Sequence, residues 1–194
     1  MNQEILNLNE DKLIGVGSER KCYFHPRDKR KCIKITYKFG RRTASRCKRG
    51  IKYSLKYSNL PYDLPSIPQY FGTVNTNLGC GHVFELVLDY DGNISKKLSE
   101  YIKTNGPNNS LTEKISSLYR SFLQSRVLVS DLHPGNLLLQ MPSVDDYHLV
   151  MIDGYGNSDF IKICDYSRFF LKKKLMRKFS RMLTQIGLPP EGIC

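Results

Sequence analysis

A chain of 194 residues is long enough for one domain or for two small lobes sharing a site, and 40% hydrophobic with 25% charged residues excludes a disordered or fibrous protein. Thirty Lys and Arg against eighteen Asp and Glu give +12, which predicts attraction to phosphates, nucleic acid, anionic lipid or acidic protein without choosing among them. The six cysteines, at 22, 32, 47, 80, 164 and 194, show neither C-x-x-C nor paired spacing with His, which argues against zinc; with no signal-like N-terminus and no run of membrane-spanning length, a cytoplasmic protein with reduced thiols is expected.

Residues 13–37 read as three strands joined by tight turns. Ile14-Gly15-Val16-Gly17 sets two glycines where a backbone could close over phosphates, but Arg20 stands where the third glycine of G-x-G-x-x-G would be, and a plain glycine-rich hairpin has the same signature. Lys31-Cys32-Ile33-Lys34-Ile35 alternates as a strand does. It sets Lys34 between two isoleucines, as the phosphate-pairing lysine on the third strand of a kinase is set; a strand lysine is otherwise a solvated outward position. Residues 41–59 have helical spacing, with Thr43 or Ser45 as candidate cap and Pro61 as the stop. No Glu or Asp occurs between Lys29 and Tyr62, so this helix offers a strand lysine no acidic partner.

Residues 67–74 and 81–88 read as a second strand pair around a turn at 75–79. Asp89-Tyr90-Asp91-Gly92 then makes a short connector into a helix over 94–104. As a hinge, that connector would offer the backbone at Asp89 and Asp91 to an adenine edge; as a plain loop it would do nothing. Ser110-Leu111-Thr112-Glu113 has the form of a capping box opening a helix that runs to about Ser125.

The stretch Ser130-Asp131-Leu132-His133-Pro134-Gly135-Asn136 lies between the apolar runs 127–129 and 137–139, and Leu149-Val150-Met151-Ile152 leads directly into Asp153-Gly154. Phosphoryl transfer needs a carboxylate near the attacking hydroxyl, and a second carboxylate with an amide oxygen to hold magnesium. The step from Asp131 to Asn136 is that of a kinase catalytic loop. Asp131 is therefore the candidate base, and Asn136 and Asp153 are the candidate metal ligands. Residues 167–186 form a basic amphipathic helix whose apolar set includes Phe169, Leu175, Phe179, Met182 and Leu183, ending before Gly187. Such a stripe usually packs on its own core; the alternative is an anionic membrane.

With these residues in view, the chain resembles the YrbL family of PhoP-regulatory-network proteins, which look like divergent members of the protein-kinase-like fold. The resemblance covers roughly residues 10–186 and is carried by Arg20-Lys21-Cys22-Tyr23 with His25-Pro26, by Cys32-Ile33-Lys34-Ile35, by Ile67-Pro68, by Gly72-Thr73-Val74, by Gly79 to Gly81 and by Asp89 to Gly92. The loop from Asp131 to Asn136 is more similar to the D-x-H-P-x-N of small-molecule and atypical kinases than to H-R-D. The resemblance implies an α+β, bilobal fold, with a small antiparallel N-lobe sheet in residues 1–88, a hinge at 89–92 and a truncated, mainly helical C-lobe in 93–194. It makes Gly15 and Gly17 phosphate-loop positions, Lys34 the phosphate-pairing catalytic lysine, Asp131 the base, and Asn136 and Asp153 the magnesium ligands, with ATP and Mg2+ as cofactors. Gly50 stands where the family tends to carry its helix glutamate, D-F-G is shortened to Asp153-Gly154, and fewer than 45 residues follow it, which argues against a typical protein substrate. Three functions follow: a phosphotransferase acting on an unidentified acceptor, a catalytically silent kinase-like regulator binding nucleotide or a partner, and a basic protein binding nucleic acid or anionic membrane.

Overall fold

Alternation around Lys34 is the visible part of a larger sheet. The computed structural model describes residues 4–62, 64–159 and 163–190. They divide into one unit of Met1–Asn59 with Pro68–Val87 and another of Leu60–Ile67 with Leu88–Cys194.

In the first unit a sheet is built from β1 (Ile5–Leu6), β2 (Leu13–Val16), β3 (Arg20–His25), β4 (Asp28–Thr36), β5 (Tyr70–Thr76) and β6 (Gly79–Glu85), in the spatial order β1-β5-β6-β4-β3-β2. The second strand pair is displaced from 67–74 and 81–88, because its turn is shorter than expected. β1 runs parallel to β5, so the sheet is mixed rather than purely antiparallel. Two residues carry no readable period, which hides β1 from pattern reading. Asn77 braces the edge: its side chain accepts from the Leu8 N–H at 2.8 Å and donates to the Leu8 carbonyl at 3.0 Å.

Successive side chains on a strand point to opposite faces. Ile33 and Ile35 join Tyr23, Val83, Leu6 and Leu8 in the core of this unit, which sends Lys34 to the other face. There α1 (Arg41–Ser58) covers the sheet: Cys47 Sγ lies 3.9 Å from both Thr36 Oγ1 and His82 Nε2, and the Ser58 hydroxyl accepts from the Tyr70 N–H at 2.7 Å. The helix begins two residues before Thr43, with Gly40 at its N-cap and no side-chain cap.

The second unit holds a three-stranded antiparallel sheet of β7 (Lys96–Lys97), β8 (Leu137–Gln140) and β9 (His148–Met151), with α2 (Leu98–Asn105), α3 (Asn109–Gln124), α4 (Ile163–Tyr166) and α5 (Arg168–Gln185). Residues 60–67 belong here, and the Met151 N–H donates to the Ser66 carbonyl at 2.8 Å. Residues 96–97 are drawn into the sheet, so α2 starts at Leu98 instead of 94. The expected capping box is displaced as well. Asn108 caps α3, its side chain accepting from the Leu111 N–H at 2.8 Å, while Ser110 meets the Tyr147 hydroxyl at 3.3 Å. Asn serves an N-cap as well as Ser does, and it is Asn108 that has the extended backbone of a cap, with φ of −146° and ψ of 171°.

Leu111, Ile115 and Phe122 of α3 and Leu171, Leu175, Phe179, Met182 and Leu183 of α5 are all 0% exposed, each contributing about 1.5–3 kcal/mol by burial. The α5 stripe is therefore core. Phe169 does not share it: two positions before Leu171 is about 200° around the helix, and the ring is exposed.

One polar network lies inside this unit. Lys174, 6% exposed, donates to the side chains of Asn157 at 2.9 Å and Asp159 at 2.7 Å, and Asn157 donates in turn to Asp165 at 2.6 Å. Lys174→Met keeps the volume and leaves the carboxylate and amide without their cation. A cost of about 2–3 kcal/mol is expected, below the full figure for a buried pair because Asp159 is part-exposed, and a denaturant midpoint equal to wild type would refute it. Cys22, Cys32, Cys47, Cys80 and Cys164 are free thiols, and Cys194 lies outside the described residues.

Candidate active site

The loop after Val129 is shaped by one carbonyl. The backbone N–H groups of Ser130 and Asp131 donate to the Gly154 oxygen at 2.8 and 2.9 Å, and the Ser130 hydroxyl donates to it at 2.8 Å. Asn136 closes the other end: its carbonyl accepts from the Ile152 N–H at 2.9 Å, and its side-chain nitrogen donates to the Asp131 carbonyl at 3.2 Å. The structure thus brings Asp131, Asn136 and Asp153 together at the ends of β8 and β9. Gly154 is obligatory in this arrangement. It has φ of +81°, and a Cβ there would overlap the Asp131 carbonyl.

Between the two anchors, Pro134–Asn136 forms a 3-10 turn capped by His133, whose Nδ1 accepts from the Gly135 N–H at 3.1 Å and whose Nε2 stands 3.8 Å from Asp131 Oδ2. The Asp131 side chain is 70% exposed, so its carboxylate is open to solvent. α5 adds Lys178, which donates to the Ser130 carbonyl at 2.6 Å. Burial pushes the Lys178 pKa down, the charge of Lys174 adds to this, and Asp131 opposes it. His133 and Lys178 are the residues that sequence reasoning missed. Lys174 and Lys178 recur four apart beside the apolar stripe, and that is the signal that marks them as inward.

The donor set fits magnesium. Because the Asn136 amide nitrogen faces the Asp131 carbonyl, its oxygen is the end left to a cation, and Asp153 supplies a carboxylate whose Oδ1 also accepts from the Gly154 N–H at 2.8 Å. Among the described residues no three His, Cys, Asp or Glu side chains gather into an all-protein metal site. Magnesium is commonly held by one or two protein oxygens together with phosphates and water, and an Asp/Asn pair is compatible with that.

In the connector, the Asp89 carboxylate accepts from the Ser95 hydroxyl at 2.6 Å and the Met141 N–H at 2.9 Å, and Asp91 accepts from Asn93 at 2.7 and 3.0 Å. Both acids hold the turn itself. The Asp89 backbone is engaged in the turn as well: its N–H donates to the Asn93 carbonyl at 2.8 Å and its carbonyl accepts from the Gly92 N–H at 2.9 Å.

The first unit carries the remaining predicted residues. Gly15 lies opposite Cys22, Cys22 opposite Lys34, and Lys34 opposite His82, so a single row crosses four strands and sets Gly15 about 10 Å from Lys34. Lys34 Nζ stands 4.7 Å from the centre of the Phe84 ring. The Gly17 N–H donates to the Arg20 carbonyl at 2.8 Å, and the Tyr37 hydroxyl donates to the Gly17 carbonyl at 2.8 Å, which fixes the hairpin tip. A hydrogen bond from the Cys32 thiol, helped by the charges of Lys34 and Arg20, brings the Cys22 pKa down to about 7 against the opposing effect of burial; Cys32, which gives that bond and is buried, is pushed well up. Iodoacetamide labelling of Cys22, followed by peptide mapping, should therefore rise through pH 7. A midpoint near the ordinary thiol value of about 8.5 would contradict it.

This combination of a lysine-bearing sheet and a D-x-H-P-x-N loop laced to Asp-Gly defines a kinase-like fold. The chain is similar to a crystal structure of a kinase domain, with a TM-score of 0.61 over 92% of this chain and 63% of that one at 16% identity. It thus spans just under two thirds of that neighbour. Residues 6–187 match the family model described as PhoP regulatory network protein YrbL. The chain is 30% identical over 187 residues to the YrbL proteins of Escherichia coli K12 and Shigella flexneri, covering 95% of this chain and 89% of each relative. It belongs to the YrbL family.

Proposed function

We propose that this YrbL-family chain is a phosphotransferase that uses Mg-ATP on an unidentified acceptor, either a small molecule or an atypical protein substrate. The observation that carries the reading is the Gly154 carbonyl, which ties the candidate base to the segment bearing the candidate metal ligand. In this reading Gly15, Gly17 and Lys34 serve the phosphates, and the connector around Asp89 and Asp91 serves the adenine. Asn136 and Asp153 hold magnesium, which when bound neutralises charge on the bridging phosphates. Asp131 accepts the acceptor hydroxyl's proton as its oxygen bonds to the γ-phosphorus, and ADP leaves. ATP chemistry and reduced thiols suit a cytoplasmic location, and among the described residues no helix is long and apolar enough to cross a membrane.

Mg-ATP should raise the melting temperature of the wild type, the rise should vanish with a chelator, and Asp153→Ala should lack it. A rise indifferent to chelator and retained in Asp153→Ala would overturn the reading. A second reading, a catalytically silent regulator, is favoured by the acid-free α1, which has Gly50 where the family tends to carry glutamate. Nucleotide binding without transfer to any acceptor would select it. Basic surfaces remain for an anionic partner in either case.

A further inference from the structure

Although the apolar stripe of α5 is buried, a second apolar surface stands outside at its start. Tyr166 is 84% exposed, Phe169 61%, Ile163 43% and Phe170 42%. The two phenylalanine rings meet edge to face at 5.5 Å, and Lys173 Nζ lies 4.5 Å from the centre of the Phe169 ring. Arg168, Lys172 and Lys173 are exposed around them, and the sequence holds no acid from Tyr166 to Gln185. None of these groups serves phosphoryl transfer in the reading above.

We propose that this aromatic and basic patch docks the protein on anionic lipid membrane, with the rings in the headgroup region and the cations on lipid phosphates. Rings and cations together suit the boundary between water and acyl chains, where each can be satisfied at once. Charge complementarity selects an anionic surface. Two observations favour a bilayer over nucleic acid: Ile163 adds an aliphatic group that cannot stack on a base, and the Lys173 ammonium already lies over the Phe169 ring where a base would stack.

The test is co-sedimentation of the full chain with vesicles of phosphatidylcholine alone or mixed with phosphatidylglycerol. Binding to the mixed vesicles only is expected, weakening as salt shortens the screening length. The double variant Phe169→Ser/Phe170→Ser should weaken it about tenfold or more, and Lys172→Gln about fivefold. Circular dichroism melts should show both variants folded, since all three side chains are outside the core. Binding unchanged by the phenylalanine pair would overturn the proposal, as would absence of vesicle binding. So would an oligonucleotide or acidic peptide that binds this patch while vesicles do not.

Discussion

Phosphoryl transfer in Asp131→Ala is expected to fall by about three orders of magnitude, within the range of a lost general base, while the Mg-ATP rise in melting temperature stays that of wild type. The two readouts separate because the side chain and the backbone of Asp131 have different duties. Its N–H and carbonyl hold the loop, and alanine keeps both. Its carboxylate is largely exposed, so removing it disturbs no packing. Turnover measured as ADP release in the presence of an acceptor gives the result. Wild-type turnover in Asp131→Ala would remove Asp131 from the chemistry, whereas loss of both turnover and nucleotide response would make it a structural residue.

Gly154→Ala should be the most damaging single change outside the hydrophobic core. The residue sits at φ +81°, where any side chain is strained, and the added methyl would occupy the space of the Asp131 carbonyl. Backbone cannot swing aside as a flexible side chain can. Relief would have to come from the bonds that Ser130 and Asp131 make to the Gly154 oxygen, so a cost of about 2–4 kcal/mol is expected, with loss of the Mg-ATP response in whatever remains folded. Gly15→Ala is the control: a Cβ there meets no heavy atom within 4 Å, and its melt should match wild type. Equal melting of Gly154→Ala and wild type would show that the loop tolerates a shift.

How much of this was legible depended on how the information is written. Period and spacing are local, and they revealed β4 around Lys34, the step from Asp131 to Asn136, and the buried set of α5. What depends on a distant partner left no local trace. A two-residue strand such as β1 is defined only by β5 and by the Asn77 clasp, some 70 positions away. Gly154 reads as a truncated motif in the sequence, yet its carbonyl shapes the loop that begins 24 residues earlier. Phe169 reads as part of the apolar stripe because hydrophobicity says nothing about angle; its position relative to Leu171 places it outside. Asn108 and Ser110 are two competent caps within one turn, and only the backbone chooses between them.

The excursion of residues 60–67 has a consequence for inheritance. Since one unit takes Met1–Asn59 and Pro68–Val87 and the other takes the rest, the polypeptide crosses between them after 59, 67 and 87. A break in the gene after 87 keeps the first unit whole but takes residues 60–67 with it, which leaves Met151 without the Ser66 carbonyl that secures β9. Recombination could therefore move the sheet bearing Lys34 only together with 60–67, a piece of the other unit, and the two halves would be expected to diverge as a pair.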